Sequence, residues 1–331
     1  MWQHVKMPAV VAWEVARECN LACRFCKADA GGPGRSNRSS RRELTTDEAC
    51  TFVDELSTFH PLLILTGGEP LLRKDIDIVI EHAATSGVRA ALATNGTLVN
   101  EQRAKKLRDA GLTTASISVD GADAQSHDSL RGVSGAYHDA LNGAKALKEA
   151  GITFQINTTV TNANVTSLPR IYEMVRESGA SAWHVFALVP TGRGRVADLV
   201  SKSNYYKTLK WLDERDRNGA LPIRPTCAPQ YRLKERLKGC LAGLSYVFIT
   251  SSGTVQPCGY FPVPLGDIRR TSFSEIWETS PILASLREPS AFTGACKTCR
   301  YSDTCRGCRA RAYAMSGDYL GDDPYCGGVS T

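Results

Sequence analysis

The distribution of cysteine is the feature that most constrains this chain. Twelve cysteines occur in 331 residues, and none lies between residues 51 and 226. They form a group of three, a single residue and a group of eight: Cys19, Cys23 and Cys26; Cys50; Cys227, Cys240, Cys258, Cys296, Cys299, Cys305, Cys308 and Cys326. Eight thiolates complete two four-ligand iron–sulfur clusters, and three leave a further cluster one ligand short. Cys50 lies in a helical pattern and is expected to be a buried thiol.

The N-terminus and the composition narrow the class of protein. Residues 1–8 lack the long apolar core and cleavage site of a secretory signal, so we expect a cytoplasmic protein. In a cytoplasmic protein, clustered cysteines more often bind metal than form disulfides. No apolar run is long enough to span a membrane. The net charge of +6 suits an anionic small molecule and is too small to indicate a nucleic-acid partner.

Short apolar runs alternate with helical patterns over residues 9–220. Strands are predicted at 10–16, 61–66, 88–94, 114–119, 152–160 and 182–189. Helices are predicted at 47–58, 74–86, 101–110, 135–150 and 166–178, and four of the five end at a glycine. Apolar strands alternating with helices predict a parallel α/β sheet. Six units are too few for a closed eight-stranded barrel, so we expect an open, partial barrel.

The character of the chain changes near residue 220, where glycine, proline and cysteine become frequent. We therefore divide it into a barrel domain, 1–220, and a small cysteine-rich domain, 221–331. A hairpin is predicted at 245–250 and 254–257, and metal clusters would stabilise so small a core. The Gly-, Ser- and Arg-rich segment 31–43 is either a solvated loop or a basic lip over an acidic substrate.

The first cysteine group follows the first strand directly, as Cys19-Asn-Leu-Ala-Cys23-Arg-Phe-Cys26. Three thiolates on a tight loop can bind three irons of a [4Fe–4S] cluster and leave the fourth open, whereas structural zinc needs a fourth ligand. With Gly67-Gly68-Glu69-Pro70 after the second strand, this run resembles the radical S-adenosylmethionine (SAM) enzymes. The resemblance implies a six-stranded TIM-like barrel and radical chemistry. It also implies that SAM binds the open iron and is cleaved to a 5′-deoxyadenosyl radical, which takes a hydrogen atom from the substrate.

The same resemblance implies a set of SAM-binding residues. The glycine-rich motif would hold the methionine amino group, Arg131 would approach the carboxylate and Asn157 would lie near the ribose. The full set is Phe25, Gly67, Gly68, Glu69, Pro70, Asn95, Ser118, Asp120, Arg131 and Asn157.

The second cysteine group resembles the SPASM extension of radical SAM enzymes, which carries two auxiliary [4Fe–4S] clusters. By that pattern the distal cluster would be held by Cys296, Cys299, Cys305 and Cys326. The proximal cluster would be held by Cys240, Cys258 and Cys308. Cys227 is the candidate for its fourth ligand; without it, that iron would be open to substrate. A pair of zinc sites fits the CxxC spacing but explains neither the triplet nor the glycine-rich motif.

Several phrases, among them Pro190-Thr-Gly-Arg193-Gly-Arg195 and Gly317-Asp-Tyr-Leu-Gly-Asp-Asp-Pro-Tyr-Cys326, resemble the branch that trims carboxylate side chains of tetrapyrroles. This predicts decarboxylation of a carboxylated small molecule. The alternatives are a sugar-acid decarboxylase of nucleoside-antibiotic pathways and a peptide maturase. Arg193 and Arg195 either bind the substrate carboxylate or are solvated surface residues. The resemblance also implies a reducing protein partner such as flavodoxin or ferredoxin.

The division of the cysteines into a group of three and a group of eight predicts the metal content of the protein. Protein reconstituted without oxygen should hold three [4Fe–4S] clusters, about twelve irons per chain. Replacing Cys19, Cys23 and Cys26 by alanine should remove about one cluster and abolish SAM cleavage, because the open iron is lost. Iron analysis and a SAM cleavage assay measure both effects, and a protein containing only zinc would contradict the prediction.

Overall fold

The computed structural model describes residues 6–30, 42–231, 235 and 239–327. Most of the predicted basic segment, 31–41, therefore lies outside the described residues. Within the described part of the chain, no helix combines the length and the apolar character needed to cross a membrane.

The described strands form one ten-stranded sheet in the order β10-β9-β8-β1-β2-β3-β4-β5-β6-β7. Their bounds are β1 Val10–Ala16, β2 Leu62–Gly67, β3 Arg89–Thr94, β4 Thr114–Ser118, β5 Thr153–Val160, β6 Trp183–Ala187, β7 Ile223–Thr226, β8 Tyr246–Ile249, β9 Thr254–Gln256 and β10 Gly266–Asp267. Strands β1 to β7 pair in parallel with their neighbours in chain order. The predicted six-stranded partial barrel is confirmed by β1 to β6, and the sheet continues at both edges.

The helices that cover the sheet also match the predicted pattern. Their bounds are α1 Thr46–Leu56, α2 Ile76–Thr85, α3 Glu101–Asp109, α4 Ala124–Arg131, α5 Ala136–Glu149, α6 Leu168–Ser178, α7 Lys202–Asn218, α8 Phe273–Thr279, α9 Pro281–Arg287, α10 Gly294–Thr298 and α11 Arg309–Ser316. Helices α4 and α7 to α11 were not predicted. Helix α7 buries only Tyr205, Leu209 and Leu212, so its apolar stripe is weak.

Each barrel strand has a covered face and an inner face. Along β5, Phe154, Ile156 and Thr158 are buried, whereas the intervening Asn157 and Thr159 are half-buried. Successive side chains of a strand point to opposite faces, so the buried set packs under the helices and the other set lines the inside of the barrel. Polar residues on the strands therefore lie on the inner face.

The C-terminal segment contributes strands to the barrel sheet itself. The predicted hairpin is confirmed as the antiparallel pair β8 and β9. Strand β8 pairs in parallel with β1, with Val10 opposite Tyr246 and Trp13 opposite Ile249. The boundary near residue 220 stays a prediction, since β7 and β8, which follow it, share one sheet with β1.

A buried ion pair lies within the cysteine-rich segment, next to the place where that segment packs on the barrel. Arg311 and Asp323 are fully buried, and the guanidinium donates two hydrogen bonds to the carboxylate, at 2.8 and 2.9 Å. Arg311 also donates to the Cys227 carbonyl at 3.0 Å and lies 4.4 Å from the centre of the Tyr325 ring. That ring stacks on Tyr205 of α7, with centroids 4.3 Å apart.

Removal of this ion pair should destabilise the fold. Arg311→Met leaves the Asp323 carboxylate buried without its counter-charge, which should cost about 3–5 kcal/mol of unfolding free energy. Lys145→Met is the matched control, because its ion pair with Glu149 is solvent-exposed and should contribute about 0.5 kcal/mol or less. Urea unfolding of the reconstituted proteins measures both changes, and equal losses would contradict the prediction.

Candidate active site

Parallel pairing brings the sequence motifs to one edge of the sheet. Cys19 follows β1, Glu69 follows β2, Asn95 follows β3, Asp120 follows β4 and Arg193 follows β6. Because the carboxyl ends of parallel strands meet at the same edge, these residues surround a common space.

The cysteine loop, residues 17–30, is bound to this edge through its backbone. The Ala22 amide donates to the Arg131 carbonyl at 3.0 Å, and the Arg24 amide donates to the Leu130 carbonyl at 2.9 Å. On the other side, Gly192 packs so closely that a Cβ there would stand 2.3 Å from the Cys26 carbonyl oxygen. The loop is therefore held between the end of α4 and the segment after β6.

Arg193 takes part in holding the cysteine loop. Its Nε donates to the Cys23 carbonyl at 2.8 Å, and its Nη1 donates to the Ala30 carbonyl at 2.6 Å. Arg195 is two-thirds exposed and bonds Asp198. Binding of a substrate carboxylate by either arginine stays a prediction. Besides the loop backbone, Arg193 also contacts the carboxylate of Asp29 in the same loop, at 3.2 Å.

Three donors point at the sulfurs of the triplet, one of them the Asn95 Nδ2, which lies 4.0 Å from the Cys19 Sγ. The Leu21 amide lies 3.4 Å from the Cys19 Sγ, and Arg131 Nη1 lies 3.5 Å from the Cys23 Sγ. Burial raises the pKa of the Cys19 thiol to about 11. Donors aimed at sulfur favour the thiolate that iron binds, so this loop fits a [4Fe–4S] cluster.

The glycine-rich motif lies directly against the end of β1. A Cβ on Gly67 would stand 2.4 Å from the Ala16 carbonyl oxygen, and one on Gly68 would stand 2.2 Å from that of Glu18. Only glycine permits this approach. Pro70 then begins a short 3₁₀ helix, Pro70–Leu72, which turns the chain away from the edge.

Glu69 is fully buried at this edge and accepts three hydrogen bonds. The donors are the Thr94 hydroxyl at 2.7 Å, the Asn95 amide at 2.8 Å and the Leu71 amide at 3.1 Å. Burial raises the pKa of its carboxyl. Glu69 makes no ion pair with any described residue, so a bound ammonium group would supply the missing counter-charge.

Asp120 and Arg131 form a buried ion pair beside the loop. Asp120 also accepts a 2.6 Å bond from the Thr159 amide. The Arg131 guanidinium carbon lies 5.6 Å from the centre of the Phe25 ring. The structure thus brings together Arg131, Asp120 and Phe25 next to Cys23.

A row of polar side chains crosses the inner face of the barrel. Ser118, Asn157 and His184 are directly opposite one another on β4, β5 and β6. The Asn157 Oδ1 and the His184 Nε2 are buried and have no hydrogen-bond partner among the described residues. Burial lowers the pKa of His184 to about 4, so it is neutral at pH 7. These open polar groups fit a hydroxyl-bearing ligand such as a ribose. His184 is an addition to the predicted set.

The second cysteine group separates into two sets. One set consists of thiols that shift one another's pKa: Cys227, Cys240, Cys258 and Cys308. The hydrogen bond from Cys227 lowers the pKa of the Cys308 thiol to about 7, and burial raises that of Cys258 to about 12. Cys227 has φ 55°, which is uncommon for a residue other than glycine, and Arg311 holds its carbonyl.

The other set lies around Cys305, whose pKa is raised to about 12 by burial and also by the charges of Cys326 and Cys296. Cys299 lies one turn from Cys296, with its amide 3.4 Å from that residue's carbonyl oxygen. No three His, Cys, Asp or Glu side chains of the described residues are grouped so as to hold a single metal ion. Both sets fit the thiolate-only donors of [4Fe–4S] clusters, in which each cysteine binds a different iron.

Two charged residues inside the barrel were not among the predicted site residues. Lys27 has its Nζ 4.4 Å from the centre of the Phe248 ring and 5.2 Å from that of Tyr260. Glu14 on β1 accepts a 3.0 Å bond from the Ser251 hydroxyl, and burial raises the pKa of its carboxyl. The signals in the sequence were a lysine directly after Cys26 and an acid within an apolar strand.

Comparison with known proteins places these features in a family. Residues 13–175 match the radical SAM superfamily, and residues 240–309 match the SPASM iron–sulfur cluster-binding domain. The chain is 43% identical to the AdoMet-dependent heme synthase of Methanosarcina barkeri, over 96% of each protein. It is 30% identical to the Fe-coproporphyrin III synthase of the same organism, over 96% of this chain and 87% of that one.

The fold is similar to that of SuiB from Streptococcus suis, solved with bound S-adenosylmethionine. The TM-score is 0.78 at 18% identity, over 97% of this chain and 77% of the other. The chain therefore belongs to the radical SAM superfamily, carries a SPASM iron–sulfur domain and is a relative of the AdoMet-dependent heme synthases.

Proposed function

We propose that this enzyme removes the carboxyl group from a propionate-type side chain of a tetrapyrrole. Support comes from the relatives, one named for haem synthesis and one for Fe-coproporphyrin III synthesis. The cofactors are SAM and [4Fe–4S] clusters, and the substrate is a small molecule. A sugar acid or a ribosomal peptide has less support among the relatives.

The observation that carries the proposal is the contact between the two cysteine-bearing segments at Lys27. Lys27 follows Cys26 of the triplet, and a Cβ on Gly259 would stand 2.5 Å from its Nζ. Gly259 is the neighbour of Cys258 in the proximal set. A substrate here would lie between the group that makes the radical and a group able to accept an electron.

Different residues of the chain bind SAM and hold the cluster that accepts the released electron. When bound, the first cluster and SAM would supply an electron and a 5′-deoxyadenosyl radical able to take a hydrogen atom from the carbon β to the carboxylate. Loss of CO2 would then leave a C=C bond and release one electron and one proton. Glu69 holds the SAM ammonium, Asn157 binds the ribose and Arg131 lies beside Cys23. The four thiols around Cys258 would hold the cluster that receives the released electron.

The reaction also requires an external reductant to start each cycle. We propose a flavodoxin or ferredoxin for this role, because the first cluster takes up one electron at a time.

A charged hydrogen bond from a half-buried cationic side chain to a substrate carboxylate contributes on the order of 1.5–3 kcal/mol of binding free energy. Such a contact would favour binding of an anionic side chain.

The direct test is a reaction of the reconstituted enzyme with SAM, reductant and iron coproporphyrin III. We expect 5′-deoxyadenosine and porphyrin products that have lost CO2 and two hydrogen atoms for each propionate converted to a vinyl group, detected together by mass spectrometry. Omitting SAM should abolish both products. Consumption of a uronic acid nucleoside or a peptide instead, with the porphyrin left intact, would overturn the proposal.

Replacement of Glu69 tests the SAM-binding assignment. Glu69→Gln keeps the shape but removes the negative charge that pairs with the ammonium, so SAM affinity should fall about tenfold to a hundredfold. Glu149→Gln, on the exposed face of α5, is the matched control and should bind SAM normally. Equilibrium binding of radiolabelled SAM measures the change, and equal affinities in the two variants would contradict the assignment.

A further inference from the structure

Lys27 occupies a defined position inside the barrel. Its Nζ lies over the Phe248 ring at 4.4 Å. Phe248 is opposite Ala12 in the β1–β8 pairing, on the inner face of the sheet. Tyr260, 5.2 Å away, completes the contact from the segment that follows Cys258. The ammonium therefore lies between the cysteine loop and the proximal cysteine set, among aromatic rings.

The positive charge of Lys27 lacks a direct acceptor. Among the described residues, Lys27 makes no ion pair within 4 Å, and its nitrogen donates no hydrogen bond. Burial lowers the pKa of the Lys27 ammonium, and the nearby charges of Cys258, Glu14, Cys26 and Cys227 act in the opposite direction. Glu14 is already bonded to Ser251. Aromatic faces stabilise a cation only in part, because an ammonium has three N–H donors that need acceptors.

The neighbouring glycine keeps this position open. A Cβ on Gly259 would stand 2.5 Å from the Lys27 Nζ and 2.9 Å from the Phe248 Cδ2. Its absence allows the ammonium to reach the segment next to Cys258. The side chain of Lys27 is thus oriented toward the space between the two cysteine groups.

We propose that the Lys27 ammonium binds a carboxylate of the substrate in this space. The inference rests on the proposed function, since it assigns one contact of the same site. A propionate oxygen would provide the missing acceptor. The side chain being modified, or a neighbouring one, would then be held between the two cysteine groups. Arg193 is less suited to this contact, because it already bonds the backbone of the cysteine loop.

The test compares two porphyrins of the same size that differ in charge. Metal-free coproporphyrin III carries free carboxylates, and its tetraamide carries none, and both can be titrated through porphyrin fluorescence. The reconstituted native protein should prefer the acid to the amide. In Lys27→Met this preference should fall about tenfold or more, because the charged hydrogen bond is lost. Lys27→Arg should retain most of it.

Two further variants test whether the loss of acid preference is specific to the position of the Lys27 ammonium. Gly259→Ala keeps the lysine but fills the space beside its Nζ, so the acid preference should fall here too. Lys210→Met is the matched control, because that lysine is exposed on α7 and its loss should leave the preference unchanged. Iron analysis confirms that each variant retains its clusters.

The possible outcomes distinguish a failure of this inference alone from a failure of the proposed function. Equal loss of affinity for acid and amide in Lys27→Met would show a purely structural lysine and overturn the inference, and so would an unchanged acid preference. If the native protein binds neither porphyrin, the proposed function fails, and the carboxylate contact assigned to Lys27 fails with it.

Discussion

The backbone of the cysteine loop must find hydrogen-bond partners outside itself, because residues 17–30 form neither helix nor strand. The structure provides them from opposite sides. Carbonyls at the end of α4 accept from Ala22 and Arg24, and Arg193 donates to carbonyls of the loop. These partners fix the position of the three thiols relative to the carboxyl edge of the sheet. The geometry of the radical-forming site therefore depends on elements far away along the chain.

Some of the described charged side chains inside the barrel have an oppositely charged partner and others do not. The unpartnered groups lie where we propose that the cofactor and the substrate bind. Next to the triplet, Arg131 is paired with Asp120 and also donates to the sulfur of Cys23. Within the part of the chain that the structure describes, Glu69 has hydrogen bonds but no ion-pair partner, and Lys27 has aromatic neighbours but no direct acceptor. Uncompensated charge inside a protein is costly, so each of these two groups indicates where an oppositely charged ligand would bind.

The strands and helices that were predicted correctly are those whose own residues carry a clear pattern. The six strands followed from apolar runs, and the helix predicted at 47–58 corresponds to α1, whose first turn is capped by Thr45 and Glu48 in the structure. Helix α7 was missed because its surface is mostly polar. From the sequence, Arg193 was either a ligand of the substrate carboxylate or a solvated surface residue, and the structure shows it bonded to the cysteine loop. Its partners could not be read from the sequence, since they lie far away along the chain.

By itself the sequence determined the chemical class of this protein. The spacing of Cys19, Cys23 and Cys26 and the motif at Gly67–Pro70 depend on short segments whose local geometry is set by the residues themselves, and the comparisons confirm that class. Only the tertiary structure decided that β8 joins β1 and that Cys227 lies with Cys308. The approach of Lys27 to Gly259 was decided in the same way. Such contacts join segments far apart along the chain, and they form only when parallel pairing and packing bring those segments together.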